Sequence, residues 1–232
     1  MSLIRLPLII GAAASFHIIV TPPAKSVRSE HVNTSSNEGW VEFHSMFTVK
    51  LLKLSSWIGA LAESASTLSF HLSDTHVPDL LKSIRGPPTQ PPSLLFVVAS
   101  GIALGGCIFR LLCYRTLGRF FTFQLSIRKE HTLITTGPYA YVRHPSYTGF
   151  IVCYIGVMMM YASPGSWVRE SGVLEYLVVR VIAGMWVAFA GVMVQFFWKR
   201  IVDEDRMLKE AFGEEWEKWA GRVRYRLVPG VY

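Results

Sequence analysis

Two short segments hold the residues best suited to chemistry. The first reads His131-Thr-Leu133-Ile-Thr-Thr136-Gly137-Pro138-Tyr139-Ala-Tyr141-Val-Arg143-His144-Pro145-Ser146-Tyr147-Thr-Gly149, with two histidines, one arginine and three tyrosines in its first 17 residues. Gly137-Pro138 marks a turn. Pro145 suits a helix's first turn, so His144-Pro145 lies where a loop becomes a helix. A helix N-terminus there offers N–H groups to an anion. The second segment holds Arg200 and Glu204, followed by Asp205. Arg200 and Glu204 are four apart and share a helix face. A lone surface pair of this kind contributes only a few tenths of a kcal/mol. This pair stands where an apolar run becomes polar, opposite the first segment, which favours a role in a site. Plainer roles stay open for the others: His131 as a loop cap, His144 as a structural residue before proline, and the tyrosines as an interfacial belt.

The elements that must position these residues are apolar. The chain has 232 residues, 51% hydrophobic and 17% charged, and its mean hydropathy is +0.34. A soluble domain carries about a quarter charged residues. Membrane spans need about 20 mostly apolar residues. Five stretches qualify in varying degree: about 3–20, 52–72, 94–114, 147–162 and 173–198. The first resembles a signal peptide, with Ala12–Ala14 as a small-residue cleavage site, but its apolar run continues past the alanines and reads as a retained span. The second is weakened by Glu63, which should face other helices rather than lipid. Residues 21–42 read as a polar loop. Residues 74–92 hold five prolines and read as another loop. Gly101, Gly105 and Gly106 permit close helix packing, and Gly184 and Gly191 give the last span a small-residue face. The expected fold is an all-α integral membrane protein of about five transmembrane helices. Residues 1–92 form the N-terminal part and 93–232 the core.

Charge sets the orientation. Of the net +7, five positive charges fall within residues 110–145. They flank apolar runs, so a juxtamembrane segment is a better reading than nucleic-acid binding, and no nucleic-acid partner is expected. With five spans, eighteen Lys and Arg fall on one side and five on the other. The 110–145 segment and the C-terminus are therefore expected in the cytosol. The last two spans should form a tight antiparallel pair that brings both polar segments to that surface. Cys107, Cys113 and Cys153 lie in apolar runs without CxxC spacing, which argues against a disulfide framework or a zinc site, and no metal is expected.

The pattern His131-x-Leu133, Thr136-Gly137-x-Tyr139, Arg143-His144-Pro145-Ser146-Tyr147-x-Gly149, then Arg200-x-x-x-Glu204-Asp205-x-x-Leu208 and Phe212-Gly213, resembles the isoprenylcysteine carboxyl methyltransferase family over about residues 128–232. Asp205 departs from the second glutamate usual in that family. The resemblance implies a cytosol-facing cofactor pocket formed by the C-terminal half, with S-adenosylmethionine as methyl donor and the C-terminal carboxylate of a prenylated cysteine as acceptor. It further implies prenylated CaaX proteins of the small-GTPase type as partners, in contact with membrane lipid, and residence in the endoplasmic reticulum. Within it, Arg200 and Glu204 are the expected catalytic pair. The expected cofactor residues are His131, Leu133, Gly137, Tyr139, Arg143, His144, Pro145 and Tyr147. Such chemistry needs no base, because an α-carboxyl titrates near 3.3–3.7 and is ionised at pH 7. It needs alignment, exclusion of water and a cation, and the planar fork of Arg200 matches a carboxylate. Arg143 and the backbone around His144 can take the cofactor's carboxylate. The Arg-His-Pro-x-Tyr element also resembles phospholipid N-methyltransferases and sterol reductases. A non-enzymatic lipid-binding scaffold is the remaining alternative.

Overall fold

A computed structural model describes residues 3–21, 31–34, 38–70, 91–121, 126–128 and 131–231. The expected loop at 74–92 lies almost wholly outside them. The described elements are α1 (Arg5–Ile19), β1 (His31–Thr34), α2 (Glu38–Ser69), α3 (Leu94–Leu117), β2 (Ser126–Arg128), α4 (Pro145–Ala162), α5 (Trp167–Glu170), α6 (Leu177–Phe212) and α7 (Glu214–Arg222). Short 3-10 turns at Gly118–Phe120, Gly137–Ala140 and Val173–Glu175 link them.

Among the described residues, three helical stretches are long and apolar enough to cross a membrane: Leu94–Phe120, Pro145–Glu170 and Leu177–Phe212. They coincide with the last three of the five expected spans. The other two differ. Helix α1 has 15 residues, about 22 Å at 1.5 Å per residue, against about 30 Å of hydrocarbon. Helix α2 begins at Glu38, so part of the expected loop at 21–42 is helix, and another part is β1, paired antiparallel with β2. The last span also extends further than expected. Helix α6 runs unbroken for 36 residues, about 54 Å, so its C-terminal turns project beyond any bilayer core. Gly213, at φ 51°, ends it.

Helices α3 and α4 make the closest pairing. A Cβ on Gly106 would lie 2.4 Å from the Cys153 nitrogen, and one on Gly156 would lie 2.4 Å from the Ala103 nitrogen. Nearer the start of α4, a Cβ on Gly149 would lie 2.9 Å from the Arg110 nitrogen. Backbones that close exclude any side chain, and dispersion contacts replace it. Of the expected α3 glycines only Gly106 serves this seam, because Gly101 and Gly105 face open space, as do Gly184 and Gly191 on α6.

The expected tight pair of the last two spans is therefore replaced by a wider one. Large rings separate α4 from α6: Tyr147 and Phe150 pack on Phe197 at 4.8 and 5.2 Å, and Tyr154 packs on Trp186 and Phe189. The apolar window of α6 is only 11% buried within the molecule, so most of it is left for lipid.

Helix α1 is built into the core through Ile9, Ala12, Phe16 and Ile19, all essentially unexposed. Its Arg5 lies 3.7 Å from Glu63 of α2, and both are buried. Glu63 thus faces other helices, as expected for an acid in an apolar segment. Arg5 also donates to the Gly165 carbonyl, which ties α1 to the turn after α4.

Candidate functional site

The wide spacing of α4 and α6 leaves room for a polar cluster at one end of the bundle, where α3 ends, α4 begins and α6 emerges. Gly137 opens the approach to α4. Its φ of 60° favours glycine, and a Cβ there would press on Thr116 at 3.3 Å. The following 3-10 turn buries Tyr139, whose carbonyl accepts from Trp219 Nε1 at 3.2 Å. Burial pushes the Tyr139 phenol well above its ordinary value, so it stays protonated. Leu133 packs in the same small core, with Cys113, Trp219 and Val223. The ring of His131 stacks on Phe120 at 4.6 Å and meets the Phe212 edge at 5.6 Å.

Tyr147, in the first turn of α4, joins the expected catalytic pair. Arg200 Nε donates to its hydroxyl at 2.7 Å, and that hydroxyl donates to Glu204 Oε2 at 2.8 Å. The i, i+4 pair is thus linked through a phenol from the facing helix. His144 lies beside it, its ring 5.9 Å from that of Tyr147. Its Nδ1 is 3.7 Å from Glu204 Oε2, and its Nε2 is 3.0 Å from Asp205 Oδ1. An ionised carboxylate only accepts, so Nε2 carries the proton in that bond.

Asp205 sits at the centre of a second set of contacts. Arg143 Nη1 and Arg226 Nε reach its Oδ2 at 3.0 and 3.1 Å. Its carboxylate therefore faces Arg143, which the sequence reading reserves for the cofactor. The backbone N–H groups of Arg143 and His144, also expected to receive an anion, donate instead to the carbonyls of Tyr225 and Arg226 at 2.9 and 2.8 Å. Pro145, the first residue of α4, is fully buried behind them. All ten expected residues thus lie in or beside one end of the bundle, and five of them fall into two groups. Arg200, Glu204 and Tyr147 form one linked group, while Arg143 and His144 face Asp205.

Several participants escaped the sequence reading. Arg110, buried in α3, donates from Nη1 to the Ser146 carbonyl and hydroxyl at 2.7 and 3.0 Å. Its apolar surroundings were the available signal, since a buried cation in a span is seldom idle. Arg226 and Trp216 carried no such signal. Trp216 lies under the Arg143 guanidinium at 5.7 Å, and its buried Nε1 has no acceptor among the described residues. Nearby, Thr135, Thr136, Ala140, Trp219, Arg222 and Val223 line an open cleft of about 320 Å³. Stacked rings and the accepting carboxylate of Glu204 are groups that fit a ligand both aromatic and cationic.

These features define a helical membrane core with an ionic and aromatic site at one end of its spans. Residues 98–183 match the isoprenylcysteine carboxyl methyltransferase family. The chain is 36% identical over 120 residues to protein-S-isoprenylcysteine O-methyltransferase B of Arabidopsis thaliana, covering 51% of each. It is 30% identical over 169 residues to protein-S-isoprenylcysteine O-methyltransferase of Homo sapiens, covering 70% of this chain and 48% of that protein. The enzyme of the same name from Schizosaccharomyces pombe is 34% identical over 95 residues, 41% of this chain and 32% of that protein. The chain thus spans about half the length or less of these curated relatives. The family model thus matches part of the motif region on which the resemblance rests, up to residue 183.

Proposed function

We propose that this chain methylates the C-terminal carboxylate of prenylated cysteine in CaaX-processed proteins, with S-adenosylmethionine as donor. The observation that carries this reading is the Arg200–Tyr147–Glu204 linkage at a membrane boundary. Arg200 lies 23 residues after the start of α6, about 35 Å along a helix whose lipid-crossing part needs about 30 Å. A prenyl chain partitions into lipid by about 0.8 kcal/mol per methylene. It therefore delivers its carboxylate at the depth where Arg200 stands.

When bound, S-adenosylmethionine supplies a sulfonium methyl to the attacking carboxylate oxygen. The residues of this chain align and desolvate. Arg200 holds the carboxylate through its guanidinium, and the Tyr147 hydroxyl fixes the Arg200 rotamer by accepting from Nε. Glu204 would offer negative charge to the cofactor's positive end. Tyr139, Tyr147 and His131 would hold the adenosine part, with Leu133 and Gly137 shaping the wall. Arg143, His144 and Pro145 hold the start of α4 against that wall. Water exclusion raises the effect of each charge. The active site and C-terminus face the cytosol, and the endoplasmic reticulum is the expected membrane. Small GTPases bearing farnesyl or geranylgeranyl are the expected protein partners.

Membranes carrying the chain should transfer label from S-adenosylmethionine to a farnesylcysteine analogue as an alkali-labile ester. Incorporation no greater than in empty membranes overturns the reading. Alkali-stable label in phospholipid assigns the chain instead to lipid amine methylation.

A further inference from the structure

After α7 the chain turns back across the site. The carbonyls of Tyr225 and Arg226 accept from the backbone of Arg143 and His144, and the Leu227 carbonyl accepts from Thr148 Oγ1 at 2.7 Å. The Arg224 carbonyl faces Arg143 Nη2 at 3.4 Å. The bond from His144, the cap residue of α4, satisfies an N–H group that a helix start otherwise leaves open. The Arg226 side chain then returns to Asp205 at 3.1 Å. The result is a closed circuit. His144 donates from its backbone to the Arg226 carbonyl, Arg226 donates from Nε to Asp205 Oδ2, and Asp205 Oδ1 accepts from the His144 ring.

We infer that Arg226 is a positioning residue of the site, and that residues 224–227 form a strap that holds the His144 ring in register with Tyr147. The inference rests on the methyltransferase reading for its catalytic arm. Arg226 acts through Asp205, which is buried and charged and shares a helical turn with Glu204. A carboxylate in that setting demands several partners, because burial without them is costly. Removing Arg226 leaves Asp205 with Arg143 and His144 alone and opens the circuit on the tail side. The His144 ring, 5.9 Å from that of Tyr147, is then free to rotate with Asp205. Tyr147 carries the hydroxyl that anchors Arg200, so the disturbance reaches the carboxylate-binding cation. Neither composition nor spacing marks Arg226, because its partners stand 21 and 82 residues away in sequence.

The test is a double-mutant cycle on the full chain in membranes, with Arg226→Ala, Asp205→Asn and both together. Arg226→Ala should lower kcat for the farnesylcysteine analogue tenfold or more, with KM changing less than threefold. The double variant should lose no more than Asp205→Asn alone. Arg226→Lys should recover part of the loss, and millimolar guanidinium should raise the rate of Arg226→Ala but not that of Asp205→Asn. Independent losses that multiply, or an Arg226→Ala rate untouched by guanidinium, overturn the inference.

A second measurement does not depend on turnover. Limited chymotrypsin cleavage after Tyr225 should be slow in the parent and faster by similar factors in Arg226→Ala, Asp205→Asn and the double variant. Equal cleavage in parent and variants overturns the strap. If the parent makes no methyl ester, the proposed function falls while the cleavage series still decides the strap.

Discussion

Tyr147→Phe isolates the central contact of the proposed site. The substitution removes one oxygen and leaves the ring against Phe197 and His144. That oxygen accepts from Arg200 Nε at 2.7 Å and donates to Glu204 Oε2 at 2.8 Å. A hydrogen bond to a charged group contributes about 1.5–3 kcal/mol. Arg200 and Glu204 share a helix face, so they can recover part of the loss by pairing directly. One net bond lost predicts a turnover lower by about 10- to 150-fold, at 1.36 kcal/mol per tenfold. The loss should fall on kcat, because Arg200 keeps its charge and loses its orientation. The assay is labelled methyl transfer to the farnesylcysteine analogue, normalised to membrane-inserted protein. Tyr161→Phe is the control. Its hydroxyl donates to the Ser56 carbonyl at 3.0 Å, at the other end of α4. Turnover of Tyr147→Phe within twofold of the parent refutes the linkage. An equal loss in Tyr161→Phe attributes the effect to general softening of the bundle.

Three further outcomes follow from the packing and the burial. Gly106→Ala or Gly156→Ala should cost at least about 1–3 kcal/mol of stability by forcing backbones apart, whereas Gly105→Ala should be near neutral; thermal unfolding in detergent by tryptophan fluorescence reads the difference. Arg5→Ala should cost about 3–5 kcal/mol because it strands buried Glu63, and changing both to leucine should recover most of it in the same unfolding measurement. Tyr139 keeps its proton when folded but loses it near pH 10 when unfolded, so its contribution is present below about pH 10 and stability falls as pH rises beyond that. Tyr139→Phe should therefore flatten the alkaline limb in unfolding measured from pH 9 to 11.5.

The last three spans were legible because a lipid-crossing helix is a local property. Twenty apolar residues declare it whatever they pack against. The N-terminal part was less legible. In α1 and α2, Arg5, Glu63 and many serines dilute the apolar signal, and only their mutual burial explains them. The glycine seam was half legible. Gly101, Gly105 and Gly106 stand out equally in sequence, yet only Gly106 faces Cys153, since helix rotation decides which glycine meets a neighbour. The tight pairing expected of the last two spans failed for a related reason, because ring volume along α4 and α6 sets their distance.

The sequence by itself determined that the protein is built on apolar helices and that its basic surplus gathers before one of them, and it marked Arg200, Glu204 and the His144-Pro145-Ser146-Tyr147 run as candidates for one site. Those are properties of composition and short spacing. Tertiary structure alone decided how the site is wired. Tyr147 stands between Arg200 and Glu204, Asp205 faces Arg143 and His144, and the tail brings Arg226 back to complete its socket. Hydrogen bonds are set by distances of about 3 Å between groups that sequence leaves tens of residues apart, and only the packed helices and the returning tail bring them together.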